Sequence, residues 1–258
     1  MIKLRTIAMA LCAIAMTACE KNAVQDITGT VPGARIRFFN FGLGAPGVNF
    51  YANDAKLTGA LSATGTESVT GTIYGGVGTA GLYSAVNPGA YTLTGRISAT
   101  VDKDLVVSTV TSTLADGKYY SYFQSGPYDP TTKKTDAFVV EDPFIDSFDY
   151  TVAYVRFVNA IHNSSPMTLY IKPISPSTDP ERAVGGLVAY KSAGAFTAVP
   201  PGTYDLSTRV AGASTFAISR TQVGFSAGRV YTIGARGDMT ITSTTATTRP
   251  FLDNTANR

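Results

Sequence analysis

Arg35-Ile36-Arg37-Phe38-Phe39-Asn40 is the stretch that decides the fold, because it returns later in the chain as Tyr154-Val155-Arg156-Phe157-Val158-Asn159. In both copies apolar residues alternate with arginine or tyrosine, and a period of two with one apolar side is typical of a half-buried β-strand. The recurrence indicates that one β unit is written twice in this chain.

The segments that follow this strand also recur in the same order. Val48-Asn49-Phe50-Tyr51 stands at the same distance from the first copy as Met167-Thr168-Leu169-Tyr170 does from the second. The segment from Ala80 to Tyr91 corresponds to the segment from Ala193 to Tyr204, and each contains a Pro-Gly pair. Proline presets φ and glycine accepts positive φ, so each pair predicts a turn before the next strand.

The repeated strands predict an all-β protein with two tandem antiparallel β-sandwich domains. No stretch of a dozen residues carries a convincing 3.6-residue period, which argues against helices. The first domain is expected at residues 34–149 and the second at residues 152–258.

The N-terminus has the pattern of an export signal over residues 1–18. Lys3 and Arg5 precede an apolar run that is too short to span a bilayer, and no later stretch offers about 20 consecutive apolar residues. We therefore expect no transmembrane helix in the mature chain.

Met16-Thr17-Ala18-Cys19 resembles a bacterial lipobox, which implies that the Cys19 thiol receives a lipid and becomes the new N-terminus. Acyl chains would then hold the protein on a membrane. The alternative is ordinary cleavage that leaves a free Cys19. Residues 19–33 are polar and end in Val31-Pro32-Gly33, which predicts a flexible tether.

Charge and cysteine content exclude two classes. The formal net charge of the 258-residue chain is +3, and it falls to +1 without Lys3 and Arg5, so binding to nucleic acid through phosphate contacts is not expected. Cys12 leaves with the signal, so the mature chain cannot form a disulfide framework.

The repeated motifs resemble one known family. The order Val/Ile-Arg-Phe-x-Asn, a strand ending in tyrosine, Val-x-Pro-Gly-x-Tyr and a glycine-led tyrosine strand is similar to the domain-of-unknown-function family 4397 of bacterial exported proteins, once in each half. The resemblance implies an immunoglobulin-like or transthyretin-like β-sandwich in the cell envelope, with no established catalytic residues.

Three motifs suggest chemistry that their context does not support. Gly224-Phe225-Ser226-Ala227-Gly228 matches the Gly-x-Ser-x-Gly pattern of serine hydrolases, but a strand follows it where a nucleophile elbow requires a helix, so we expect a turn. His162 has no cysteine partners for a zinc site and is expected in a surface loop. Arg236-Gly237-Asp238 spells an adhesive tripeptide and falls at a predicted hairpin tip, where a turn is the better interpretation.

Acidic residues could in principle supply oxygen ligands to calcium, but their spacing fits no known loop, and solvated charge near the domain junction is the better interpretation. They are Asp102, Asp104, Glu141, Asp142, Asp146 and Asp149. No metal or other cofactor is therefore predicted.

Arg37, Arg96, Arg156 and Arg209 form the candidate ligand-binding face. Each occupies the outward phase of a strand, with Tyr119 or Tyr231 expected nearby, which would suit a glycan or an envelope protein. The alternative is that these charges only keep the protein soluble and protect sheet edges from pairing.

The functional expectation is a lipid-anchored cell-envelope protein that acts as a non-catalytic binding, adhesion or scaffolding module. An accessory domain pair in polysaccharide handling, with weak hydrolase activity, is the main alternative, and a purely structural role that involves self-association is the third. Glu20 replaces the aspartate that directs retention in the inner membrane of some bacteria, which favours the outer membrane, in a periplasmic or surface-exposed position.

Overall fold

The computed structural model describes residues 33–59, 61–144, 147–174 and 176–257, and the regular secondary structure of these residues is almost entirely β-strand. The predicted signal peptide, Cys19 and nearly all of the tether lie outside these ranges. The strands of the first domain are β1 (Ala34–Asn40), β2 (Val48–Ala52), β3 (Ala55–Lys56), β4 (Gly76–Val77), β5 (Ser84–Val86), β6 (Gly89–Ile97), β7 (Val106–Leu114), β8 (Tyr119–Asp129) and β9 (Lys134–Glu141), with a short 3-10 segment at Gly78–Gly81. The strands of the second domain are β10 (Ala153–Asn159), β11 (Met167–Pro173), β12 (Arg182–Val188), β13 (Ser192–Ala193), β14 (Thr197–Val199), β15 (Gly202–Val210), β16 (Ile218–Phe225), β17 (Val230–Arg236) and β18 (Phe251–Ala256).

Each domain contains two packed sheets, which confirms the prediction of two β-sandwich domains. In the first domain the inner sheet has the order β4-β1-β8-β9, with β5 also paired to β1, and the outer sheet has the order β3-β2-β6-β7. The second domain has the same plan, with β13-β10-β17-β18 and β14 in its inner sheet and β12-β11-β15-β16 in its outer sheet. No helix among the described residues is long and apolar enough to cross a membrane.

Both inner sheets are mixed, because each contains one parallel pair. β1 runs parallel to β8, with Arg37 opposite Ser121, and β10 runs parallel to β17, with Arg156 opposite Thr232. The other strand pairs of the two domains are antiparallel. Alternation in sequence specifies which side chains face the core, but it does not specify the direction of the neighbouring strand.

The alternation predicted for the first strand of each domain places its side chains as expected. Ile36 and Phe38 enter the core of the first sandwich, where the Phe38 ring stacks on Phe50 with centroids 4.9 Å apart. Val155 and Phe157 enter the core of the second. Each fully buried side chain of this size contributes about 1.5–3 kcal/mol through burial of apolar surface.

The opposite side of these strands is covered as well, because the two inner sheets face each other. Phe39, Phe41 and Phe123 of the first domain form one buried cluster with Val158 and Ala160 of the second. We call this contact the domain interface, and both domains belong to one compact unit. The prediction that the two strands are half-buried is therefore wrong, since six of the seven residues of β1 and all seven of β10 are buried.

Candidate ligand-binding faces

Two of the four predicted face residues do not reach solvent. Arg37 and Arg156 point away from their own sandwich cores, as predicted, but both are fully buried in the domain interface. Periodicity shows which side of a strand faces away from its own core, and it does not show whether another domain covers that side. These two arginines are therefore removed from the candidate face.

Arg37 is held by groups from both domains. Its Nε donates to Ser121 Oγ at 3.2 Å, and its Nη1 donates to the Ala256 carbonyl of the second domain at 3.1 Å. The guanidinium carbon also lies 4.9 Å from the centroid of the Tyr83 ring. Burial lowers the pKa of Arg37, and the nearby Tyr83 and Asp142 oppose that shift.

Arg156 makes the equivalent contacts with the roles of the two domains exchanged. Its Nε donates to Thr232 Oγ1 at 3.1 Å, its Nη1 donates to the Glu141 carbonyl of the first domain at 2.9 Å, and its guanidinium carbon lies 4.7 Å from the centroid of the Phe196 ring. Glu141 and Ala256 occupy equivalent places, each beside the second residue of β8 or β17. The domain interface therefore has approximate twofold symmetry in its contacts.

One carboxylate breaks this symmetry. Asp142 is buried, forms an ion pair with Arg156, and accepts hydrogen bonds from Ser121 Oγ at 2.7 Å and from the Tyr83 hydroxyl at 2.5 Å. Asn257 is the next residue after β18, as Asp142 is after β9, and its Nδ2 donates to the Tyr83 hydroxyl at 3.3 Å. The interpretation of Asp142 as solvated charge is therefore wrong. Burial, and then the Asp142 charge, raise the pKa of Tyr83.

Two tyrosines that the sequence did not single out also join the domains. The Tyr190 hydroxyl is hydrogen-bonded to Ser125 Oγ at 2.9 Å and donates to Asp136 at 3.2 Å, and both partners belong to the first domain. Tyr74 lies under the guanidinium of Arg236 in the second domain, with 4.9 Å from Cζ to the ring centroid. The residue after each tyrosine donates its N–H to the last residue of the first strand of its own domain, so the two tyrosines are equivalent.

The other two predicted arginines lie on the solvent side of the outer sheets. Arg96 extends from β6 across β2, and its guanidinium carbon lies 4.3 Å from the centroid of the Tyr51 ring. It donates to Asp54 at 3.1 Å and to Thr94 Oγ1 at 3.1 Å. Burial raises the pKa of Tyr51, which is 6% exposed.

Arg209 repeats this arrangement on the second domain. It extends from β15 across β11, its guanidinium carbon lies 4.3 Å from the centroid of the Tyr170 ring, and it pairs with Glu181 at 2.5 Å. The hydrogen bond with Glu181 raises the pKa of Arg209. A second ring, Phe216, lies 4.9 Å from the same carbon. Each outer sheet thus carries an arginine that lies over a tyrosine ring and pairs with a carboxylate, and we call these two clusters the first and second outer faces.

The tyrosines predicted to accompany the arginines are not part of these faces. Tyr119 lies beneath the guanidinium of Arg35, 5.3 Å from Cζ to the ring centroid, and Tyr231 is buried in the core of the second sandwich. The rings that do stack on arginine belong to Tyr51 and Tyr170, the last residues of the recurring segments Val48-Asn49-Phe50-Tyr51 and Met167-Thr168-Leu169-Tyr170. Their equal positions in the two halves were the signal that could have identified them.

The side chains of the three motifs that suggested chemistry lie in turns, loops or ion pairs of the fold. Ser226 follows β16 in a turn, and its N–H donates to the Tyr231 hydroxyl at 3.1 Å. His162 is half-buried in the loop after β10, beside Gly126. Arg236 of the Arg-Gly-Asp tripeptide is paired with Asp253. No group of three or more metal-ligating side chains occurs within the described part of the chain.

Each domain also has a cleft beside its Pro-Gly turn. The cleft of the second domain has a volume of about 510 Å³ and is walled by prolines and Tyr204, and that of the first domain has about 370 Å³ and is lined mainly by aliphatic residues and Tyr91. Both tyrosine hydroxyls are already bonded, to the carbonyls of Pro200 and Asn87, each at 2.8 Å. The outer faces offer more polar side chains and are the better candidates for a ligand.

Comparison with known proteins gives a partial family match. Residues 153–258 match the family described as "Domain of unknown function (DUF4397)", so a DUF4397 domain is found in the second half of the chain. None of the curated proteins compared with the chain matches it.

Similar solved structures include two proteins at 12% sequence identity. The first is the Bacillus anthracis TIE protein, with 80% of this chain and 34% of that chain covered and a TM-score of 0.22, so the chain spans about a third of that protein. The second is CBMbc (family CBM26) from Eubacterium rectale Amy13K in complex with maltoheptaose, with coverages of 86% and 95% and a TM-score of 0.24. TM-scores this low give the likeness no weight for function.

Proposed function

We propose that the protein is a non-catalytic binding module of the bacterial cell envelope, with a role in recognition, adhesion or scaffolding. The observation that supports this most strongly is the arrangement of tyrosine, arginine and carboxylate at equivalent positions on two solvent-facing sheets. If these arginines served only solubility, any charged residue would do, and the stacked pair of arginine and tyrosine would not need to occur in both domains. A recognition surface that is present twice does require the same pair at both places.

The partner would bind to the outer faces, because the inner faces are buried against each other in the domain interface. Arg96 and Arg209 are held in place by their carboxylates and rings, so little side-chain entropy would be lost on binding. A glycan or an envelope protein with hydrogen-bond acceptors suits such a surface. Two faces on one body would also allow a single polymer or two partner copies to be engaged at once.

Membrane attachment through lipid on Cys19 completes the proposal. The lipobox-like Met16-Thr17-Ala18-Cys19 supports an anchor in the outer membrane, with residues 19–33 as the tether between the lipid and the first domain.

We also propose that the first domain is a second copy of the family found at residues 153–258, since its sheets have the same strand order.

The anchor is tested by fractionation of cells that express the wild-type chain or Cys19→Ser. We expect the wild type in the membrane fraction and the variant in the soluble fraction, and protease treatment of intact cells then separates surface display from a periplasmic position. If both chains fractionate identically, the anchor is wrong.

Binding is tested by incubating the purified chain with isolated envelopes and measuring the retained amount against protein concentration. The double variant Arg96→Ala/Arg209→Ala is expected to weaken envelope binding about thirtyfold, because each stacked arginine contributes on the order of 1 kcal/mol and the two together about 2 kcal/mol. Lys172→Ala, an exposed cation on the same sheet, is the matched control. Equal retention of the double variant and the control would contradict the role of the outer faces.

A further inference from the structure

The two outer faces differ in how much aromatic surface they offer. On the first, the Tyr51 ring is covered by Arg96, Lys56 Nζ lies 5.5 Å from its centroid, and its hydroxyl donates to Asp104 at 3.0 Å. This ring is 6% exposed, so no ligand can stack on it. The first outer face therefore presents charged groups and no ring.

The second outer face is open at the same place. Ala183 lies opposite Tyr170, where the first domain has Lys56 opposite Tyr51, so the long cation that closes the first face is missing. The loop between β15 and β16 supplies Phe216, whose side chain is 58% exposed. The corresponding loop of the first domain, residues 98–105, contains no aromatic residue.

The order of groups on this face is Tyr170, then Arg209, then Phe216. Both rings lie within 5 Å of the guanidinium carbon of Arg209, so the cation supports the Phe216 ring from behind while the ring keeps a face toward solvent. Phe216 is 58% exposed, so a ligand that covers its ring removes apolar surface from water, which is favourable.

The charge of Arg209 is balanced within the second outer face. Arg209 is paired with Glu181, and Ser207 Oγ donates to the same carboxylate at 3.2 Å. A charged polymer would gain little there from long-range attraction. The Arg209 side chain is 19% exposed, so its guanidinium group can still donate to a ligand acceptor that lies next to Phe216.

We infer, building on the proposed binding function, that the second outer face binds a neutral glycan by stacking a sugar ring on Phe216. The C–H groups on one side of a pyranose ring are apolar and slightly positive, which matches the negative face of an aromatic ring. Its hydroxyl oxygens supply acceptors for Arg209, and its lack of charge matches the neutralised face. The first outer face lacks the ring and does not share this specificity.

The experiment is native electrophoresis of the full chain carrying Cys19→Ser in gels that each contain one neutral polysaccharide: soluble starch, xylan, dextran or mixed-linkage β-glucan. We expect at least one gel to retard the chain relative to a gel without glycan. Phe216→Ala should raise the apparent Kd about tenfold, and Phe216→Trp should preserve the retardation, because stacking needs a ring and not a particular one. Val101→Ala is the matched control, an exposed apolar residue in the corresponding loop of the first domain.

Each outcome decides one level of the argument. Retardation that Phe216→Ala leaves unchanged would overturn the assigned site while the binding function stands. Absence of retardation in all four polysaccharides, together with retention on isolated envelopes, would overturn the glycan and leave a protein or charged partner. Failure in both experiments would overturn the proposed function itself.

Discussion

Asp142 has the largest single effect that we expect in this molecule. It is a buried carboxylate in direct contact with the guanidinium of Arg156, and its charge also acts on the buried Arg37. We predict that Asp142→Asn lowers the free energy of unfolding by about 3–5 kcal/mol, because loss of one member leaves buried charge without compensation. Urea unfolding followed by far-UV circular dichroism measures this change.

The control lies one residue earlier in the chain. The exposed side chain of Glu141 pairs with Lys118 at the surface, so Glu141→Gln should cost less than about 1 kcal/mol. Approximate symmetry also predicts a rescue, in which Asn257→Asp restores part of the stability lost in Asp142→Asn by giving Arg37 the carboxylate. If Asp142→Asn were as mild as Glu141→Gln, the buried pair would not be essential.

Tyr190 gives the interface a dependence on alkaline pH. Burial raises its pKa to about 12, with the Asp136 charge acting in the same direction and the hydrogen bond from Ser125 opposing it. A raised pKa means that the folded state favours the neutral phenol. The resulting stability is present below the unfolded pKa of about 10 and is lost as pH rises toward 12.

We therefore predict that the difference in unfolding free energy between the wild type and Tyr190→Phe falls as the pH rises. At pH 9 the unfolding free energy of the wild type should exceed that of Tyr190→Phe by about 1 kcal/mol, the contribution of its hydrogen bonds. This difference should fall to zero and change sign between pH 10 and 12, because a pKa raised from about 10 to about 12 outweighs that margin. Other tyrosines titrate in both proteins and cancel in the comparison. A gap that stays constant over this range would contradict the assignment.

At the scale of elements, β17 must present glycine at one position of the interface. A Cβ on Gly234 would lie 2.9 Å from Cε2 of Phe41, a ring fixed within the buried aromatic cluster. We predict that Gly234→Ala destabilises the fold by about 1–3 kcal/mol through overpacking. Gly224→Ala on β16, where a Cβ meets nothing within 4 Å, should be neutral or slightly stabilising in the same thermal denaturation. Equal melting temperatures for the two variants would show that Phe41 moves aside freely.

The same strands show how much could be read from the sequence. Alternation correctly placed Ile36 and Phe38 in a core, and recurrence correctly gave two sandwiches of one plan. Phe39 and Val158 were the sign that the other side is buried too, because a strand covered on both faces has a nearly continuous apolar run. The period-two interpretation gave the adjacent arginines more weight than these apolar residues.

The candidate site was predictable only in part for a related reason. The outward phase of Arg96 and Arg209 follows from alternation within one strand. Their contact with Tyr51 and Tyr170 depends on which strands are neighbours, and Phe216 reaches its place through a loop. Neither strand order nor loop conformation is contained in a local pattern.

For the whole molecule, the domain interface predicts that the two sandwiches unfold together. Aromatic side chains and the arginine cluster are shared between them, so opening one domain exposes surface of the other. We predict one calorimetric transition for the wild type, with equal calorimetric and van't Hoff enthalpies.

Val158→Asp places a charge in the interface but outside the core of its own sandwich, and it should split the transition into two. Thr221→Asp, at an exposed site of the same domain, should keep a single transition. Two transitions in the wild type, or one in Val158→Asp, would mean that the interface does not couple the domains.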